Sequence, residues 1–164
     1  MAQQLWFLRH GEAEPHGARP DSERRLTARG EEQSRAAGRA LVALELAFQL
    51  VVSSPRVRAL DTARLACEIL GGEPIVDEAL ASGFDVHGAL ELAAAAGEHK
   101  RVLFVGHNPD FAQIVGDLTC AAIELKKGGI AGVRRRGHRG ELIVLMRPRE
   151  LERITSAAAT TAGP

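Results

Sequence analysis

The chain has 164 residues, and its 21 lysines and arginines are matched by 21 aspartates and glutamates, so the formal net charge is zero. That balance excludes the overall positive field of a nucleic-acid or membrane-surface binder, and any anion specificity must come from local placement. The length suits one domain, expected over residues 1–154.

Along the chain, three short apolar runs read as buried strands of a parallel sheet: Leu5 to Leu8, Leu50 to Val52 and Val102 to Val105. Helical spacing of Ala37, Ala40, Leu41 and Leu44 predicts a helix from Thr27 to about Leu46, with Thr27 as its cap. Val57, Leu60, Ala63, Ala66 and Leu70 predict a second helix, started by Ser54 as cap and Pro55 in the first turn. A weaker amphipathic segment covers residues 88–96, and Asn108-Pro109-Asp110 starts a helix that runs to Thr119. Gly129 to Val133 and Glu141 to Met146, separated by the turn-like Arg136-Gly137-His138-Arg139-Gly140, predict an antiparallel hairpin. Residues 11–26 read as a polar loop and residues 155–164, TSAAATTAGP, as a frayed, disordered tail. Strands alternating with helices give an α/β fold.

The N-terminus carries no targeting pattern and no apolar run approaches membrane-spanning length. The two cysteines, Cys67 and Cys120, lie far apart in helical-looking segments and predict buried thiols in a reducing, cytoplasmic setting. No HExxH or paired-carboxylate pattern and no P-loop is present, and His16, His87 and His138 fall in loops without companion ligands, so neither a metal nor a cofactor is expected.

Ligands of a parallel α/β sheet bind beyond the carboxyl ends of the strands, beside the helix N-termini that follow. Here those ends read Arg9-His10-Gly11, Ser53-Ser54-Pro55-Arg56-Val57-Arg58 and Gly106-His107-Asn108-Pro109. Taken singly each has an ordinary explanation: a strand-terminal turn, a solvated helix arginine, a satisfied histidine. Together they place two arginines, two histidines and helix N–H groups on one edge, which suits a phosphoryl group. Guanidinium forks match phosphate oxygens, and neutral imidazole is a competent nucleophile near neutral pH.

LRHGEAE, DSERRLTARGEEQ, SSPRVRALDTA and FVGHNPD, in this order and spacing, resemble the four signature regions of the histidine phosphatase superfamily with its RHG motif, and especially its short SixA-type phosphohistidine phosphatases. The resemblance spans residues 5 to about 146. It implies a phosphoglycerate mutase-like three-layer α/β/α sandwich with a mostly parallel central sheet. His10 would become phosphorylated, Arg9 and Arg58 would clamp the phosphoryl oxygens, and His107 would stabilise their charge from the opposite side, with the N–H of Asn108 pointing inward. Larger members add a carboxylate that protonates the leaving oxygen; the corresponding VDEALASGFDVHG offers Glu78 and Asp85. The expected substrate is phosphohistidine on a protein, such as a histidine-containing phosphotransfer domain in signal transduction. The alternatives are a small phosphorylated metabolite, as for a phosphomonoesterase or phosphoglycerate mutase-like enzyme, and phosphate recognition without turnover. Arg56, two residues before Arg58, is expected to face elsewhere.

Overall fold

A computed structural model describes residues 2–98 and 100–161. Its centre is a six-stranded sheet formed by β1 (Gln4–Arg9), β2 (Leu50–Ser53), β3 (Ile75–Val76), β4 (Arg101–Gly106), β5 (Ile130–Arg136) and β6 (Arg139–Met146), in the order β3-β2-β4-β1-β5-β6. The first four strands are parallel, whereas β5 runs antiparallel to β1 and pairs with β6 as the expected hairpin. The helices are α1 (Ala28–Ala43), α2 (Val57–Leu70), α3 (Val86–Ala96), α4 (Asp110–Thr119) and α5 (Pro148–Thr161).

Strand alternation explains the three layers. Leu5 and Phe7 of β1, with Val102 and Phe104 of β4, face the core shared with α3 and α4, where Phe7 stacks on Phe104 at 5.4 Å and meets Phe111 edge-on at 5.3 Å. Trp6, Leu8, Leu103 and Val105 point the other way, onto α1, α2 and Leu151 of α5. Both faces of the central strands are thus apolar, the continuous hydrophobic reading that parallel strands require.

Helix starts follow the sequence only in part. Thr27 caps α1 as expected, its hydroxyl accepting from Gly30 N at 3.1 Å. The two Pro-containing starts differ. α2 begins at Val57 with Arg56 at the N-cap and no side-chain cap, because the Ser54 hydroxyl, which does accept from Arg56 N at 3.2 Å, lies two residues too early. α4 begins at Asp110 after a cis Asn108–Pro109 bond, so Asn108 is not its cap either. The tail expected to fray from residue 155 instead continues α5 to Thr161, held to the sheet side by Leu151 and Ile154 and to α1 by the Arg29–Glu152 ion pair; residues 162–164 lie outside the described residues. Both cysteines are free, but only Cys67 is buried; Cys120 is exposed in a left-handed conformation that ends α4. Among the described residues no helix is long and apolar enough to cross a membrane.

Candidate active site

Register brings the strand ends together. Ser53 pairs with Val105 and Arg9 with Gly106; beyond them, His10 N donates to Gly106 O and Ser54 N to Val105 O, each at 3.0 Å. His10, Ser54 and His107 therefore stand side by side where β1, β2 and β4 give out, next to the N-termini of α2 and α4, neither of which has a side-chain cap. An open cleft of about 450 Å³ lies there, lined among others by Arg9, His10, Arg58, His107 and Asn108. All five residues picked from the motifs are thus gathered at one place.

His10 is 5% exposed, and its Nδ1 lies 2.7 Å from Gly11 O. A carbonyl only accepts, so Nδ1 carries the proton and Nε2 keeps a lone pair. That Nε2 receives the Nε–H of Arg58 at 3.3 Å. Burial, with Arg58 and Arg9 nearby, pushes the His10 pKa down to about 3, despite the opposing bond to Gly11 O. The ring is then neutral at physiological pH, in the tautomer that leaves Nε2 nucleophilic.

His107 stands 5.3 Å from His10 between ring centroids, and burial, together with His10 and Arg58, takes its pKa to about 3 as well. Its Nε2 is 2.8 Å from the Ser54 hydroxyl. That hydroxyl also accepts from Arg56 N, and the other ring nitrogen of His107, Nδ1, is buried without a protein partner. Asn108 lines the cleft, its side-chain Nδ2 donating to Leu125 O at 3.0 Å while Oδ1 is buried and unpartnered. Arg9 Nη1 donates to the same carbonyl at 2.9 Å, and its Nε is buried without a partner.

Sequence reasoning missed the centre of the cationic cluster. Asp21, in a 3-10 turn of the 11–26 loop, takes Arg58 on its backbone carbonyl at 2.6 Å and on Oδ2 at 3.2 Å. The same carboxylate pairs with Arg56 at 2.6 Å and with Arg24 at 2.9 Å. Arg56 lines the cleft rather than facing away, since it precedes the helix as its N-cap and is not set by helical periodicity. Burial opposes ionisation of Asp21, but hydrogen bonds and charge from Arg24 and Arg58 outweigh it and hold the pKa at about 2. DSERR was a visible signal, an acid three residues before an arginine in a loop, although nothing in it indicated which distant arginine it would meet.

The two expected proton donors are elsewhere. The Asp85 carboxylate accepts from Gly88 N at 2.9 Å and caps α3, whereas Glu78 is exposed in the 3-10 turn before it. Neither lines the cleft, because the segment between α2 and β4 packs α3 against the sheet face, with Ala89 and Ala93 in the core. Gly11 is required by space and not by backbone sign. Its φ is not positive; a side chain there would meet Gly30 O at 2.5 Å, so the requirement is close approach of β1's end to α1. Among the described residues no three His, Cys, Asp or Glu side chains are grouped to hold a metal ion.

Two buried imidazoles, four arginines and a lysine around one opening have a chemistry that suits a phosphoryl group. The model of the histidine phosphatase superfamily (branch 1) matches residues 5–83, which carry the first three motifs. An uncharacterized protein of Picosynechococcus sp. is 38% identical over 141 residues, covering 80% of this chain and 84% of the relative. The protein histidine phosphatase SixA, solved with tungstate, superposes with a TM-score of 0.81 at 26% identity, covering 90% of this chain and 99% of SixA. Phosphoserine phosphatase of Entamoeba histolytica with 3-phosphoglyceric acid gives 0.72 at 18% identity, covering 91% and 99%, a likeness of fold alone. The chain belongs to the histidine phosphatase superfamily, and its fold is the phosphoglycerate mutase-like fold of SixA.

Proposed function

We propose that the chain is a phosphohistidine phosphatase acting on protein-borne phosphohistidine through a phosphorylated His10. In the first step the His10 Nε2 lone pair attacks phosphorus, a P–N bond forms on His10, and the P–N bond to the substrate imidazole breaks as that ring leaves with its electron pair. Water then displaces His10 and releases inorganic phosphate. Arg9 and Arg58 hold the equatorial oxygens, and the His107 ring stabilises their charge from the other side.

The observation that carries this reading is a well-set nucleophile in a cleft with no protonated carboxyl beside it; His16 also lines the cleft, but its side chain is 85% exposed in the loop, 3.6 Å from Asp21. Asp21 is the one carboxylate among the described residues lining the cleft, and with a pKa of about 2 it stays ionised against its arginines. An alkoxide leaving group needs a positioned proton donor, a contribution of about 10²- to 10⁴-fold. Imidazole, protonated on its distal nitrogen, leaves a P–N bond without one. The chain between α2 and β4 supplies no cover over the cleft, which favours a bulky substrate. The likeness to SixA, a protein histidine phosphatase, is consistent with this preference.

The test compares kcat/KM, in EDTA, for a phosphohistidine-bearing phosphotransfer domain with phosphoserine, phosphothreonine and sugar phosphates. We expect a preference of at least about a hundredfold, the size of a missing general acid. Equal or better turnover of a small monoester would establish a metabolite phosphatase instead; binding without turnover of either would make the cleft a recognition module.

A further inference from the structure

Beside the cleft, and sharing Arg9 and Lys127 with it, lies a second open cavity of about 480 Å³ at the starts of α1 and α5 and the loop before β5. Its lining contains six cations, Arg9, Arg29, Lys126, Lys127, Arg147 and Arg149, and one carboxylate, Glu124. Glu150 and Glu152 stand at its margin, paired with Arg147, Arg149 and Arg29. Two of the three lysines of the chain are here, in a molecule whose acidic and basic residues cancel overall. The mechanism uses none of Arg29, Lys126, Arg147 or Arg149.

We infer that this shelf is a docking surface for the acidic face of the protein that carries the phosphohistidine, an inference that rests on the function proposed above. Four of its cations have side chains at least half exposed. A pocket for a small anion encloses and desolvates its ligand with converging groups. Exposed, solvated cations on long stems instead steer a large anionic surface and fix its orientation. Their ion pairs to Glu124, Glu150 and Glu152 are surface pairs, worth about 0–1 kcal/mol each, and yield readily to a partner's carboxylates. Continuity with the cleft through Arg9 and Lys127 means that a protein seated on the shelf can present a phosphorylated side chain to His10. A nucleic acid fits less well, since no tyrosine, tryptophan or phenylalanine lines the shelf as a stacking platform.

The test uses Lys126→Glu with Arg149→Glu, and the milder Lys126→Gln with Arg149→Gln in case reversal disturbs folding; neither residue lines the catalytic cleft. Substrates are an acidic phosphotransfer domain phosphorylated on histidine and free phosphohistidine. The expected result is a loss of tenfold or more in kcat/KM for the protein, carried by KM and shrinking as salt is raised, with turnover of free phosphohistidine unchanged. A change below twofold for the protein overturns the docking surface while leaving the phosphohistidine reading intact, and so does an equal loss on both substrates. If the unaltered enzyme hydrolyses no phosphohistidine in either form, the functional reading fails and the docking inference falls with it. Equally tight binding of a single-stranded oligonucleotide, lost in the same variants, would reassign the shelf to nucleic acid.

Discussion

Nε of Arg58 lies 3.3 Å from Nε2 of His10, so the nitrogen proposed to attack phosphorus is already covered by the cation proposed to hold the transferred oxygens. The other two guanidinium nitrogens of Arg58 are committed to Asp21, which fixes the fork before any substrate arrives.

Arg58→Ala should therefore lower kcat by about a hundredfold or more, on the order of 3 kcal/mol of transition-state stabilisation. Arg56→Ala should cost less, because the Arg56 side chain meets Asp21 and not His10. Steady-state turnover of an aryl phosphate by both variants checks the order, and a larger loss for Arg56 would contradict it.

His10→Ala should abolish turnover and the acid-labile phosphoenzyme while leaving the circular dichroism spectrum intact. The ring sits at a strand end beside an open cleft, and the backbone bond from His10 N to Gly106 O survives the substitution. Residual phosphoenzyme in this variant would point to His107 as the nucleophile.

The two histidines predict an unusual acid limb. With folded pKa values of about 3, below the ordinary 6.5, both stay neutral well into the acid range, so kcat/KM should show no protonation step of the free enzyme near pH 6.5. Unfolded histidines bind protons that the folded ones refuse, so their contribution to stability is complete above pH 6.5 and is lost as pH falls towards 3. Asp21, depressed from 3.8 to about 2, adds stability that is present above pH 3.8 and lost through pH 2. Denaturation followed from pH 7 to 3 should show wild type losing more stability than a His10→Asn, His107→Asn double variant.

Gly30→Ala should damage activity although Gly30 does not line the cleft. A Cβ there would fall 1.9 Å from Glu12 O, a backbone atom that cannot move aside without shifting the loop that carries Asp21. We expect a destabilisation of about 1–3 kcal/mol from overpacking, read by urea unfolding, with a fall in kcat. Full stability and activity together would show that the loop tolerates the displacement.

The apolar runs of β1, β2 and β4, the periodic faces of α1 and α2 and the hairpin were legible in the sequence, because burial on both faces and helical spacing are local properties of composition. The convergence of His10, Arg58 and His107 was legible too, since each ends a strand or begins a helix on the same edge. What tertiary structure alone decided was the partner of those groups. Asp21 meets Arg58 across 37 residues, and only the folding of the 11–26 loop against α1 and α2 brings them together. β3 has just two residues, too short for any alternation to register, and α5 has an Ala/Thr-rich end that resembles a tail until Leu151 is seated under the sheet. Glu78 and Asp85 had the right chemistry and the right place in the chain, but the packing of α3 on the far core turned Asp85 into a helix cap and left Glu78 in solvent. A side chain's type and spacing are written in the sequence; whether it faces a cleft depends on which surface its element buries, a choice made by contacts distant along the chain.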